Sequence, residues 1–220
     1  MPGLSQGEPM KVIRAISLGH AWLMATRAIF EEGYGATYDG LATIEIGLLD
    51  LVVDEPSTRD DLIDRLGNSE RLSWMHENFT DRRRVRELGD AASYATRLYD
   101  YDDSGRDQVA WVIDRLRADQ DSRSAIVTTL QPLSDSSYVP CVSLLHFWVP
   151  TGRLELIVTA HSIDFGTKAY ANLLELAAIH QRVAESLEIP VGKLTLRVTS
   201  AHIYERDLEA VSFILSSASK

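Results

Sequence analysis

Two apolar runs joined by a tight turn constrain this chain most. Residues 142–149 and 154–161 flank Pro150-Thr151-Gly152-Arg153, and that spacing and turn chemistry predict a β-hairpin. The first run is apolar at nearly every position, including Val142, Leu144, Leu145, Phe147 and Trp148. Such a run predicts a strand buried on both faces rather than one alternating between core and water. Pro140-Cys141 stands where this strand begins, and Cys141 is the only cysteine in 220 residues. A thiol held by rigid backbone at the edge of a core is well placed as a nucleophile; the plainer reading is a small buried hydrophobe.

The rest of the chain alternates strands and helices. A short strand is predicted over 10–16 and a helix over 17–32, where Leu18, Trp22, Ala25 and Ile29 share one face until Gly33 and Gly35 end it. A strand over 43–53 stops at Asp54-Glu55-Pro56, and Ser57 is the expected N-cap of a short helix carrying Asp61, Leu62 and Leu66. Residues 67–89 have no clear period. They hold Trp74-Met75-His76-Glu77-Asn78 and the run Asp81-Arg82-Arg83-Arg84-Val85-Arg86, which reads as a solvated face or as a phosphate clamp. Helices follow over 107–116 and 171–187, with a strand over 125–130 between them and a loop at 135–137 leading to Pro140. Leu194, Leu196 and Val198 alternate in a strand ending near His202, and 203–215 forms a last helix or extension that frays toward Lys220. The expected class is α/β (α+β): one domain over 1–220 with a mixed sheet packed with helices.

Net charge is −10, which argues against a general nucleic-acid binder; a local arginine cluster could still bind a small anion. The polar first ten residues hold no apolar signal region, and no run of 18 apolar residues marks a membrane span, so a cytoplasmic location and no membrane partner are expected. A single cysteine allows no intrachain disulfide, and the scattered histidines suggest no metal site.

From Asp121 onward the order is Asp121-Ser122-Arg123, Pro140-Cys141, His161-Ser162-Ile163-Asp164, Asn172 and His202-Ile203-Tyr204. This resembles the thymidylate synthase and pyrimidine-nucleotide hydroxymethylase family, most strongly over 107–208. The resemblance implies a homodimer packed through its sheet faces, with a pyrimidine nucleotide or nucleoside as substrate and 5,10-methylenetetrahydrofolate as cofactor. Cys141 would add to C6 of the pyrimidine, making C5 the nucleophile that takes a one-carbon unit. Arg123 would lower the thiol pKa, Tyr94 would flank the cysteine, and Asp61 would stand where the family has a proton-shuttling Glu. Ser162 and His161 would meet the phosphate, His202 and Tyr204 the sugar, and Asp164 the pterin. Asn172 would read N3–H and O4 of a uracil rather than a cytosine, because an amide offers both an acceptor and donors; it could also cap a helix. His146, His180 and Asp207 carry no implied role and read as structural.

The pattern is broken in places. Ser124 stands where the family has a second Arg, His161 where it has another, and no paired tryptophans follow the His76-Glu77-Asn78 stretch. Losing guanidinium forks weakens a phosphate cage; the run at 82–86 or a protonated His161 could compensate. The chain ends soon after Tyr204, without the segment that closes over folate in synthases. Water access to a C5-methylene favours hydroxymethylation over methylation. The alternatives are a nucleotide-binding protein of the same fold with transfer lost, and folate-independent chemistry at C5 through the same cysteine.

Overall fold

The structure, a computed structural model, describes residues 10–135 and 138–218. Ser136 and Ser137, in the loop expected before Pro140, lie outside the described residues. The sheet has seven strands: β1 (Lys11–Ala15), β2 (Tyr34–Tyr38), β3 (Leu41–Val53), β6 (Ile126–Thr128), β7 (Val142–Trp148), β8 (Leu154–Asp164) and β9 (Val191–Tyr204). A separate short ladder joins β4 (Arg84–Val85) to β5 (Ala91–Ala92). The main order is β1-β3-β9-β8-β7-β6, with β2 hairpinned onto β3. β9 runs antiparallel to β3 and parallel to β8, so the sheet is mixed, as expected.

Helix α1 (Leu18–Glu32) forms as its period predicts. Ser17 accepts from the N–H of His20, and Leu18, Trp22, Ala25 and Ile29 are fully buried. Burying side chains of this size is worth roughly 1.5–3 kcal/mol each. The long helix α6 (Ala169–Ser186) packs against β8, β9 and α1. Between them in sequence lie α2 (Asp61–Leu66), α3 (Ser69–Thr80), α4 (Tyr94–Tyr99) and α5 (Gln108–Ala118); α7 (Leu208–Ala218) closes the described chain.

Three expectations change. The cap of α2 is Asp60, not Ser57: its carboxylate accepts from Leu62, Ile63 and Gly19. A Cβ at Gly19 would stand 2.2 Å from that carboxylate, so the close approach requires glycine. Tyr34–Tyr38 is a strand, turned into β3 by Asp39 and Gly40 at φ 49° and 76°. Within one subunit β7 is buried on one face only: Leu145 and Phe147 face the core, while Trp148 is 36% exposed. Its other side belongs to an uncovered sheet face, where Val12 is also exposed and Arg197 pairs with Asp50 at 2.6 Å.

Candidate active site

Cys141 sits one residue before β7, and its carbonyl accepts the N–H of His161 on β8 at 3.0 Å. The Ser162 hydroxyl lies 3.9 Å from the thiol. Tyr94, the buried first residue of α4, accepts the N–H of Val142 at 3.0 Å, so it fixes the start of the nucleophile's strand through the backbone. A second anchor is Arg97, also buried: it binds the Ala92 and Thr129 carbonyls and takes Asp135 bidentately at 2.7 and 2.8 Å. The loop leading to Cys141 is thus held by a buried ion pair.

The strand register gathers the other residues. Ser162 stands opposite Ser200, and Asp164 opposite His202, which in turn faces Glu45 of β3. Residue spacing of two puts His202 and Tyr204 on one side of β9, where their rings meet edge to face at 5.1 Å. Asn172, on the first turn of α6, donates its amide to the Lys168 carbonyl at 3.2 Å; the cap position is Lys168, so Asn172 is not the cap. Asp164 accepts from the N–H groups of Gly166 and Thr167, which shapes the turn into α6.

A cavity of about 820 Å³ opens between these elements. Cys141, His161, Ser162, Asp164, Asn172, His202 and Tyr204 all line it. Asp61 and Arg123 are exposed and do not, and Tyr94 stands behind Pro140 and Tyr138. Three further features of the lining have no counterpart in the sequence reading. Tyr38 and Asp39 reach it from the β2–β3 turn, with the Tyr38 ring 5.2 Å from His202. Glu87 and Leu88 reach it from the short 3-10 turn after β4. Lys168 reaches it from the start of α6. Asp39-Gly40 is a hairpin signal that marks the first of these; nothing local marks Lys168. The arginine run serves elsewhere in part: Arg83 pairs with Glu77 and Arg84 with Asp103.

Burial dominates the site's electrostatics. It pushes the Cys141 thiol up, partly offset by the Ser162 hydroxyl and the Lys168 charge. It lowers His202, and lowers His161 with help from His202. Both shifts favour the neutral imidazole. Tyr204 is pushed up to about 12 by burial and by Asp164. The buried Nε2 of His202 has no hydrogen-bond partner, which leaves it free for a ligand hydroxyl.

A second cavity of about 560 Å³ shares Glu87, Leu88 and Lys168 with the first and adds Trp74, Arg71 and Asn68. It also holds Glu70, so two carboxylates and two cations surround the Trp74 indole and Leu88. Among the described residues no cluster of His, Cys, Asp and Glu could hold a metal, and no helix is long and apolar enough to cross a membrane.

Residues 58–220 match the model of the thymidylate synthase family. A "Putative thymidylate synthase" of Methanosarcina mazei is 28% identical over 208 residues, covering 93% of this chain and 94% of that protein. One of Methanothermobacter marburgensis is 34% identical over 115 residues, covering 51% of this chain and 52% of that protein. The bifunctional dihydrofolate reductase-thymidylate synthase of Paramecium tetraurelia is 29% identical over 122 residues, covering 54% of this chain and 26% of that protein. With the matched segment spanning most of the chain and including Cys141, Asn172 and His202, this chain belongs to the thymidylate synthase family.

Proposed function

We propose that this chain is a transferase that adds a one-carbon unit to C5 of a uracil-type pyrimidine nucleotide through a covalent Cys141 adduct at C6. The observation that carries the reading is the convergence of Cys141 with Asn172, His202 and Tyr204 on one cavity, from three separate elements. Addition to C6 forms the S–C6 bond and moves the C5–C6 π pair toward C5 and O4. Asn172 would pair with N3–H and O4, and the His202 Nε2, without a partner among the described residues, and the Tyr204 hydroxyl would meet the sugar. The Ser162 hydroxyl, 3.9 Å from the thiol sulfur, would meet the nucleotide phosphate.

Methylenetetrahydrofolate would occupy the second cavity, with Trp74 and Leu88 beside the ring system and Arg71 meeting a glutamate carboxylate, while Asp164 of the adjoining cavity would meet the pterin. When bound it would supply the one-carbon unit. The proposed product is hydroxymethyl rather than methyl, formed if water reaches the C5-methylene before hydride does. A homodimer through the uncovered sheet face would bury Val12 and Trp148 and bring Arg123 to the partner's site. The second reading, nucleotide binding with transfer lost, is supported by Ser124 and His161 standing where the family has arginines, and is opposed by the retained Cys141.

The test is tritium release from C5-labelled UMP, dUMP, uridine, CMP and dCMP, with and without methylenetetrahydrofolate. Release from a uracil substrate that vanishes in Cys141→Ala is expected. Binding without release from any substrate would establish the second reading instead.

A further inference from the structure

Lys168 is the one lysine or arginine among the described residues lining the Cys141 cavity, and it also lines the neighbouring cavity. No ion pair or hydrogen bond holds its ammonium among the described residues. It stands at the N-terminus of an 18-residue helix that has no acidic residue in its first turn and no side-chain cap. A cation there is placed against the helix dipole, an arrangement that stability alone disfavours. Burial favours the neutral form of both histidines of the cavity, and Arg123 lies outside it. The remaining charged lining groups, Asp39, Glu87 and Asp164, are carboxylates.

We propose that Lys168 is the positioning charge of the reaction: its ammonium eases formation of the Cys141 thiolate at the moment of attack and, one turn from Asn172, offsets the negative charge that develops at O4. The O4 part rests on the function proposed above; the thiolate part does not. The thiol proton leaves to solvent, the sulfur lone pair forms the S–C6 bond, and the displaced π pair resides on C5 and O4. Lys168 keeps its proton throughout. The physical need is plain: burial disfavours the thiolate, and a nearby cation is the ordinary remedy. Its influence on Cys141 is in that direction. Tyr138 and Tyr38 also face the thiol, but both are raised by burial and stay neutral over the useful range.

The experiment follows Cys141 alkylation by iodoacetamide against pH in the full chain, for wild type, Lys168→Met and Lys168→Arg. The alkylation midpoint is expected to rise by about one pH unit in K168M, a tenfold loss of thiolate below it, and to return most of the way in K168R. Urea midpoints check that the variants fold, and Asp39→Asn, which should lower the midpoint slightly, controls for a general field effect. A K168M midpoint within about 0.3 unit of wild type, at unchanged stability, would overturn the proposal. Tritium release measured in parallel separates the two levels. A shifted midpoint without release in wild type would refute the proposed function and leave the Lys168 assignment standing. Release in wild type that K168M lowers at least tenfold, and K168R restores, supports both.

Discussion

The two sides of the cavity are built differently. Ser162, Asp164, Asn172 and His202 stand on β8, α6 and β9 and are 2–8% exposed. Asp39, Glu87 and Gly89 come from a hairpin tip and a short turn, and all three are exposed. Paired strands fix the first group: shifting β9 by one residue would turn His202 to the other face and would also expose Leu196 and Val198. The second group is held by local turn geometry, with Asp39, Gly40 and Gly89 at positive φ. The groups proposed to do chemistry are thus coupled to the core, whereas the rim can change shape or charge without unfolding anything. Substrate choice is the property that such a rim can vary most freely.

If the comparison holds, damage to the supports of the wall costs stability first. The largest effect is expected from Arg97→Met. It strips the buried Asp135 of its partner, and an uncompensated buried carboxylate costs about 3–5 kcal/mol. Urea denaturation checks this, and the Arg97→Met/Asp135→Leu double variant should recover most of the loss. A loss below about 1 kcal/mol in the single variant would mean that the loop before Cys141 is not part of the wall.

A second effect concerns His180, fully buried beneath β8 with Nε2–H donated to the Leu154 carbonyl at 2.7 Å. Burial lowers its pKa to about 4. The unfolded chain therefore binds the proton first as pH falls. The His180 contribution is intact above about pH 6.5 and is lost as pH falls toward 4, by about 3 kcal/mol. Unfolding free energies from urea titrations at pH 7 and pH 4 should differ by about that amount more in wild type than in His180→Gln. His161 and His202 titrate in the same direction, so the difference between the two proteins isolates His180. Equal acid losses in both would remove His180 from the wall's ledger.

The same division decides what could be read from the chain. The hairpin of β7 and β8 and the faces of α1 and α5 were legible because period and turn spacing set them; Cys141, Ser162, Asn172 and His202 were grouped through the family resemblance alone, and they line one cavity. Cap choice at α2 was not: Asp60 prevails over Ser57 because it also takes the Gly19 N–H from a helix far away in sequence. Gly33 and Gly35 read as a helix stop, which hid the strand between them and Asp39-Gly40. Tyr38 enters the site only because β2 pairs with β3 and β3 with β9, a relation between residues more than a hundred positions apart. Arg97 sits in an otherwise ordinary helical segment, and its worth depends on a loop folded over it. Arg123, expected as the cation for the thiol, does not line the cavity, whereas Lys168, delivered by the turn after Asp164, does.

The smallest effect sharpens the comparison most, because it tests the rim alone. Asp39 is exposed at φ 49°, a conformation that Asn also tolerates, so Asp39→Asn should leave stability within about 0.5 kcal/mol of wild type. Its carboxylate lines the cavity, where a phosphate would meet it as a like charge. Removing one exposed charge is worth under about 1 kcal/mol. A nucleoside monophosphate should therefore bind two- to fivefold more tightly to the variant at low salt, with the gain shrinking as ionic strength rises. The corresponding nucleoside should bind both proteins alike. Isothermal titration of dUMP and deoxyuridine at two salt concentrations measures all of this. A gain that is the same for nucleoside and nucleotide would mean that Asp39 shapes the cavity rather than selecting by charge. A loss of stability would mean that the rim is as tightly coupled to the core as the wall, and the distinction between them would fall.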